Sequence, residues 1–213
     1  KKYFNERPVS TQQTAFSFIA QLRSWLPRQI GGILWFGNDD GNMVPYTPIY
    51  CGNTVQPECY NTPGADALNF SDKNAYWVCN WVSNMVYPRY SLLFPPLKAM
   101  RDSLENSYLA QQPQVEKRAA ELYNTDVAKA VKYLNDYSNE QAQSMLKNWN
   151  ELATFLIVKY NDMAVKPTDG RSFKRNKEGL GAKVQRPGYP EAFARKLVKE
   201  TGDWYLVPEE KKK

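Results

Sequence analysis

No histidine occurs among the 213 residues. Within this chain that excludes a Ser-His-Asp triad, a Cys-His pair and any zinc site that uses a histidine ligand. Cysteine is nearly as scarce: Cys51, Cys59 and Cys79 are all there is, and no C-x-x-C spacing joins them into a thiolate clamp. No metal and no cofactor is therefore expected. No apolar run reaches the roughly 18 residues that a membrane-crossing helix needs, so no membrane span is expected. Internal repeats and low-complexity tracts are absent too. The chain starts Lys1-Lys2-Tyr3 without a methionine or a charged-then-apolar leader, so it reads as an excised or processed piece, and no compartment is assigned.

What is present is aromatic mass and punctuation. Six Trp, fourteen Tyr and nine Phe make a disordered chain implausible, and the length suits one large domain or one and a half small ones. The net charge of +6 is concentrated after Lys166 and ends in Lys211-Lys212-Lys213. A basic segment can bind nucleic acid through phosphates. No nucleic-acid motif accompanies it, so it is read as a solvated surface tail and no nucleic-acid partner is expected. Cys51 and Cys59 lie in a loop-like stretch where a bridge in an oxidising compartment and two free thiols both stay open. Cys79, between Trp77 and Trp81, is expected to be an inert core residue.

Along the chain, a β-like segment runs from about Val9 to Leu22, its second half equally readable as a short helix. Gly31–Gly37 is a short apolar run between glycines, as for a buried strand. Asn38-Asp39-Asp40-Gly41-Asn42 has the composition of a tight turn, since Asn, Asp and Gly tolerate positive φ. Residues 43–63, with Pro45, Pro48, Pro57 and Pro63 among Tyr46, Tyr50 and Tyr60, are expected to be a loop, because proline removes the donors that a central strand needs. Such loops wall pockets or cover core edges. Helices are expected over residues 72–162. The first has a Trp77-Trp81-Met85 stripe widened by Val78 and Val82 and ends at Pro88. The next opens at Pro95-Pro96 and is broken by Pro113. Another is capped by Thr125, and a last one is introduced by the capping-box pattern Ser138-x-x-Gln141. Residues 167–213 are expected to form an irregular basic tail with a short helix near Glu191–Glu200 and a closing strand at Trp204–Val207. The fold class that emerges is α+β: a short β portion, then a helical block.

Several pieces in order carry a family resemblance: Glu6-Arg7-Pro8-Val9-Ser10-Thr11-Gln12-Gln13-Thr14, Gln21-Leu22-Arg23, Leu26-Pro27, Ile30-Gly31-Gly32, Leu34-Trp35 and Tyr46–Tyr50. Ala75, Trp77 and Asn80 follow, then Leu104-Glu105 and Trp149–Leu152. Residues 5–165 resemble the C-terminal part of bacterial cysteine dipeptidases of the dipeptidase A and secernin kind, N-terminal-nucleophile (Ntn) hydrolases. The resemblance implies half of an αββα sandwich over residues 1–166 and metal-independent hydrolysis of dipeptides. It also implies a cysteine nucleophile that becomes the first residue on maturation and uses its own amine as the base. Residue 1 here is a lysine, so the nucleophile is expected in an N-terminal segment of the same parent protein, and this chain alone is expected to be inactive. Arg7 is the one candidate catalytic residue, as a planar anchor for a thiolate or a substrate carboxylate. Ser10 and Thr11 are read as ordinary polar residues, and Asn38, Asp39 and Asp40 as turn residues rather than site residues. The partners implied are the dipeptide, the missing segment and, left open, further copies of the chain. The alternative reading is a non-catalytic binding module whose contact surface is the Tyr- and Pro-rich loop.

Overall fold

Strand formation begins where the Thr-Gln polar run gives way to alternating bulky residues. The computed structural model describes residues 6 and 8–207. In it the β-like segment is a strand only in its second half, β1 (Phe16–Leu22), while Thr14 N–H closes a turn on the Thr11 carbonyl at 3.0 Å. A four-residue helix, α1 (Arg28–Gly31), reverses the chain into β2 (Gly32–Asn38), the strand expected from the glycine-bounded run. β3 (Thr47–Tyr50) lies inside the stretch expected to be loop. It is an edge strand of an antiparallel sheet ordered β1-β2-β3, which is where a proline such as Pro48, paired with Trp35, is tolerated.

The sheet has two unlike faces. On one, Ile33, Trp35 and Tyr50 are buried; on the other, Leu34, Phe36, Asn38 and Ile49 are half-buried. On that second face Phe16, Phe18 and Leu22 of β1 remain 55 %, 57 % and 76 % exposed. The covered face is tied to the helices, of which α2 spans Ala75–Val86, α3 Tyr90–Tyr123 and α4 Val127–Tyr160.

In α2 the buried side is Val78, Cys79, Val82, Ser83 and Val86, while Trp81 is 37 % exposed and Trp77 half-buried. The tryptophan stripe is thus the outer one, because β-branched residues fill the narrow gap beneath and the larger rings gather with Phe70 at the surface, at centroid distances of 5.8 and 6.1 Å. Asn74 caps the helix by accepting from Trp77 N–H.

The chain breaks at Pro88, where α2 stops at Val86 and a 3-10 turn follows, but neither at Pro95-Pro96 nor at Pro113. α3 starts at Tyr90 and runs for 34 residues with Pro95, Pro96 and Pro113 inside it. Each proline removes one backbone donor and crowds the preceding turn, at a local cost of about 3 kcal/mol. Burial overrides it: Leu93, Leu104 and Val115 recur every eleven residues, as do Leu97, Tyr108 and Ala119. Such a repeat keeps one face in line over many turns. Similarly, Ser138 opens no helix. It is buried in the middle of α4, where its hydroxyl accepts from Tyr50 N–H at 3.4 Å. Nor does Thr125 cap α4; Asp126 does, accepting from Ala128 and Lys129 N–H at 2.9 and 3.2 Å. No helix among the described residues is long and apolar enough to cross a membrane.

A buried polar chain joins sheet to helix. The Arg23 guanidinium, after β1, pairs with Glu116 of α3 and donates to the carbonyls of Gly31 and Ile30 at 3.2 and 3.1 Å. Glu116 also accepts from Gln112 at 2.8 Å, and Gln21 accepts from both Gln112 and the Trp35 indole. A side chain at Gly31 would place its Cβ 2.6 Å from the Arg23 carbonyl, so the corner requires glycine.

The chain divides into two compact units, the second beginning at Val158. That unit holds fourteen Lys and Arg against eight Asp and Glu, the whole of the net charge. It contains the two-residue strands β4 (Thr168–Asp169) and β5 (Ser172–Phe173) and helix α5 (Glu191–Thr201), close to the short helix expected there. Trp204–Val207 is not a strand: Gly202–Tyr205 is a 3-10 turn and Trp204 is 82 % exposed, having no neighbouring edge to pair with among the described residues.

Two substitutions on α3 are expected to act in opposite directions in denaturant titrations. Glu116→Gln leaves the Arg23 charge buried without its counter-ion and should cost about 3–5 kcal/mol. Pro113→Ala, at an exposed position, restores a helical donor and should stabilise the fold by roughly 1–3 kcal/mol.

Candidate functional site

The end of β2 carries the densest polar chemistry in the first unit. Asp39 has φ 76°, a left-handed conformation that an Asp tolerates better than most residues, as the turn composition implied. Both Asp39 and Asp40 are buried, at 1 % and 0 % exposure. Asp39 accepts from the Asn80 amide at 2.8 Å and from the Ser83 hydroxyl, both on α2. Asp40 accepts from the Tyr87 hydroxyl and from Asn42 N–H at 3.0 Å. Burial raises the Asp39 carboxyl above its ordinary range, against the opposing hydrogen bonds from Asn80 and Ser83. Every oxygen of this carboxylate pair is engaged in holding the strand end to α2 and the turn after it. The pair is structural, in line with reading these residues as a turn.

The segment before β1 reaches the same end of the sheet. Ser10 Oγ accepts from Asn42 N–H at 3.0 Å, so it acts as a latch for the loop, and Thr11 N–H bonds the Thr14 hydroxyl. Arg7 lies outside the described residues.

Two clefts flank the sheet. On its open face, a cavity of about 680 Å³ runs along Leu34, Phe36 and Asn38 to the 51–57 loop and Tyr60. Its walls are apolar and aromatic, with Tyr60 edge-on to Phe36 at 5.2 Å and hydrogen-bonded to Thr47. Two amides in its lining are enclosed yet unpaired: Asn38 Oδ1 and both polar atoms of Asn53 find no partner among the described residues. An enclosed unpaired amide is costly unless something else completes it, and a carboxamide offers the donor and acceptor that a peptide backbone requires. The second cleft, about 350 Å³, lies between the covered face and α3, with Ile19, Trp35 and Leu109 as walls and Arg101 and Glu105 as its charged residues.

All three cysteines are free. Burial pushes the Cys59 thiol up to about 12 and the Cys79 thiol well above its ordinary value, so both stay protonated and unreactive at neutral pH. Cys51 is exposed at the rim of the open-face cleft. Among the described residues no group of three His, Cys, Asp or Glu side chains is placed to hold a metal ion. Asn53, Arg101 and Arg23 escaped the sequence reading as functional or structural centres. The one available signal was the i, i+4 spacing of Arg101 and Glu105 on the helix expected to open at Pro95-Pro96, a spacing equally common on solvated helix faces.

With this geometry in place, the likeness to known proteins becomes specific. Residues 1–102, which carry the whole sheet, α2 and the start of α3, match the model of peptidase family C69. The chain is related to the dipeptidases of that family. A protein of Streptococcus pyogenes serotype M1 named "Probable dipeptidase B" is 22 % identical to it over 150 residues, covering 70 % of this chain and 30 % of the relative. The chain thus spans under a third of the length of that relative.

Ser83→Ala tests the carboxylate pair. Because burial already raises Asp39, its protonated form is favoured in the fold, and this group's contribution to stability falls as pH rises through its unfolded value to its raised folded one. Loss of the Ser83 donor should cost roughly 1.5–3 kcal/mol at neutral pH, where the carboxylate needs it. The cost should shrink in acid, where Asp39 is neutral, as followed by urea midpoints at the two pH values.

Proposed function

We propose that this chain is the distal portion of a metal-independent cysteine dipeptidase of the Ntn kind, bacterial as its streptococcal relative is. In this reading it contributes one β layer and one α layer of an αββα sandwich. The observation that carries the reading is the one-sided sheet: helices bury one face, while the other presents Phe16, Phe18, Leu22, Leu34, Phe36 and Ile49. A second sheet is the natural cover for such a face, packing about 10 Å away with interleaved side chains. β1 has no strand partner on its outer side among the described residues, which leaves an edge for further pairing. An N-terminal segment of the same parent protein is the proposed occupant.

The peptide would then lie where the two sheets meet, against the amides of Asn38 and Asn53, with an apolar wall for its side chains. The nucleophile is a cysteine from the proposed N-terminal segment, activated by its own amine. Cys59 and Cys79 are unsuited to the role because their thiols are buried and protonated. Arg7 is the proposed anchor for the substrate carboxylate. Ser10, three residues on, is latched to the turn that follows Asn38.

The test is dipeptide hydrolysis by the intact parent, with chelator, with a thiol-alkylating reagent and in four variants. Activity should survive the chelator and be abolished by alkylation. It should persist in Cys51→Ser and Cys59→Ser, drop by about 10- to 100-fold in Arg7→Lys, which keeps the charge but loses the bidentate fork, and fall on Asn53→Ala. Loss of activity in Cys51→Ser would move the nucleophile into this chain. Inactivity of the matured parent across a broad dipeptide panel would overturn the enzyme reading in favour of a binding module.

A further inference from the structure

The cleft between the covered face of the sheet and α3 is distinct from the open face used above. Its walls are Ile19, Trp35 and Leu109, and Ile19 and Leu109 are 57 % and 55 % exposed although they face a concave surface. Arg101 and Glu105 stand one helical turn apart on α3, and their neighbours fix both. Arg101 Nη1 donates to the Asn42 carbonyl at 2.6 Å, and Nε and Nη2 donate to Asp102 Oδ1 at 3.1 and 3.0 Å. The guanidinium also lies 5.9 Å from the centre of the Phe94 ring. Three of its five N–H groups are thereby used, which orients the planar fork and leaves two donors. Asp102 is shared with Lys98, so it does not belong to Arg101 alone. Glu105 Oε1 accepts from Tyr46 N–H at 3.0 Å, which holds the carboxyl against the β3 end of the sheet, while Oε2 has no hydrogen-bond partner among the described residues.

A positive and a negative group at this spacing, on an apolar floor, suit a ligand bearing both charges and one hydrophobic side chain. We propose that this cleft binds a small zwitterion, a free α-amino acid or a dipeptide with an aliphatic side chain. Its carboxylate lies on Arg101, its ammonium on Glu105 and its side chain against Ile19 and Leu109. The charges of Lys98, Arg101, Asp102 and Glu105 sum to zero, so a neutral zwitterion is accepted without leaving a net charge behind. A cavity of about 350 Å³ sits at the lower end of the range for ligand pockets, in keeping with a ligand of this size. A hydroxyl contact beside the cleft keeps the floor in place. Tyr46 and Ser17 hydroxyls meet at 2.8 Å over Gly41, where a Cβ would lie 2.7 Å from both oxygens.

The site is tested by titration calorimetry and by amide and indole NMR shifts on this chain, with L-leucine and glycyl-L-leucine as probes. N-acetyl-L-leucine, L-leucinamide and glycine serve as controls. Saturable binding of at least one probe is expected, weakened about 10- to 100-fold by acetylation or amidation, since each removes one charge-assisted contact. Tighter leucine than glycyl-leucine would identify a free amino acid as the ligand, and the reverse order a dipeptide. Glu105→Gln, which keeps the bond from Tyr46, should weaken leucine and glycyl-leucine while leaving N-acetyl-L-leucine, which has no ammonium, no weaker. Leu109→Ala, at an exposed position, should weaken leucine while leaving glycine unchanged. The proposal is overturned if neither probe saturates, if the acetylated and amidated controls bind as well as leucine, or if Glu105→Gln binds as the parent chain does. None of these readouts requires hydrolysis, so its failure is separable from failure of the dipeptidase reading.

Discussion

The contact on which the rest of the first unit depends is the ion pair of Arg23 and Glu116, whose side chains are 7 % and 17 % exposed. It brings together residues 93 apart in the chain. Its cation satisfies the carbonyls that α1 leaves at its end, and its anion collects Gln112 and the Tyr50 hydroxyl. Burying such a pair gains little over well-packed hydrocarbon, but once it is in place neither member can be lost cheaply. What it supplies is register: α3 can lie on the sheet at only one height if Glu116 is to meet Arg23. That height also sets Glu105 opposite Tyr46 and Arg101 opposite Asn42. The cleft beneath α3 inherits its geometry from this one alignment.

The sequence made the local features legible and hid the long-range ones. The glycine-bounded run Gly31–Gly37 became β2 almost to the residue, and the turn at Asn38–Asn42 followed from the tolerance of Asn, Asp and Gly for positive φ. Burial of Cys79 followed from its apolar surroundings. In α3, by contrast, local rules at Pro95, Pro96 and Pro113 were outweighed by apolar contacts along a face that an eleven-residue repeat keeps straight. At Ser138 a local pattern identical to a capping box was overruled, because the hydroxyl serves a strand 88 residues away. Pro48 was a sound argument against a central strand and none against an edge strand. The tryptophans of α2 misled because size was taken as a sign of burial, whereas the sheet side of that helix has room only for valine, serine and cysteine.

The candidate site divides in the same way. Residues with a local signature, such as Asp39 and Asp40, were visible but prove to be structural. Asn53, whose amide is enclosed and unpaired, carries no signature at all, and Asn38, whose Oδ1 is unpaired, was visible only as a turn residue; an asparagine in a turn and one facing a cleft look alike in a sequence. Family likeness reached further than periodicity here, since it rests on the order of many short pieces and so registers long-range constraint without locating it. The family model covers the sheet, α2 and the start of α3, residues 1–102, and the likeness to the streptococcal protein runs over 150 residues of the chain.

The prolines of α3 have a dynamic consequence. Each leaves a carbonyl one turn earlier without its helical donor, so the hydrogen-bond ladder of this helix is interrupted near Ser91, Leu92 and Leu109 while its axis continues. Cooperative opening spreads along an unbroken ladder and stops at such gaps. The span from Leu97 to Gln112, which bears Arg101, Glu105 and one partner of Gln21, Gln112 itself, can therefore breathe as one short segment between two fixed joints. Amide exchange along α3 should then fall into blocks rather than fray from its ends. A binding event in the cleft would be felt within one block, whose last residue, Gln112, is hydrogen-bonded to Glu116 of the buried ion pair.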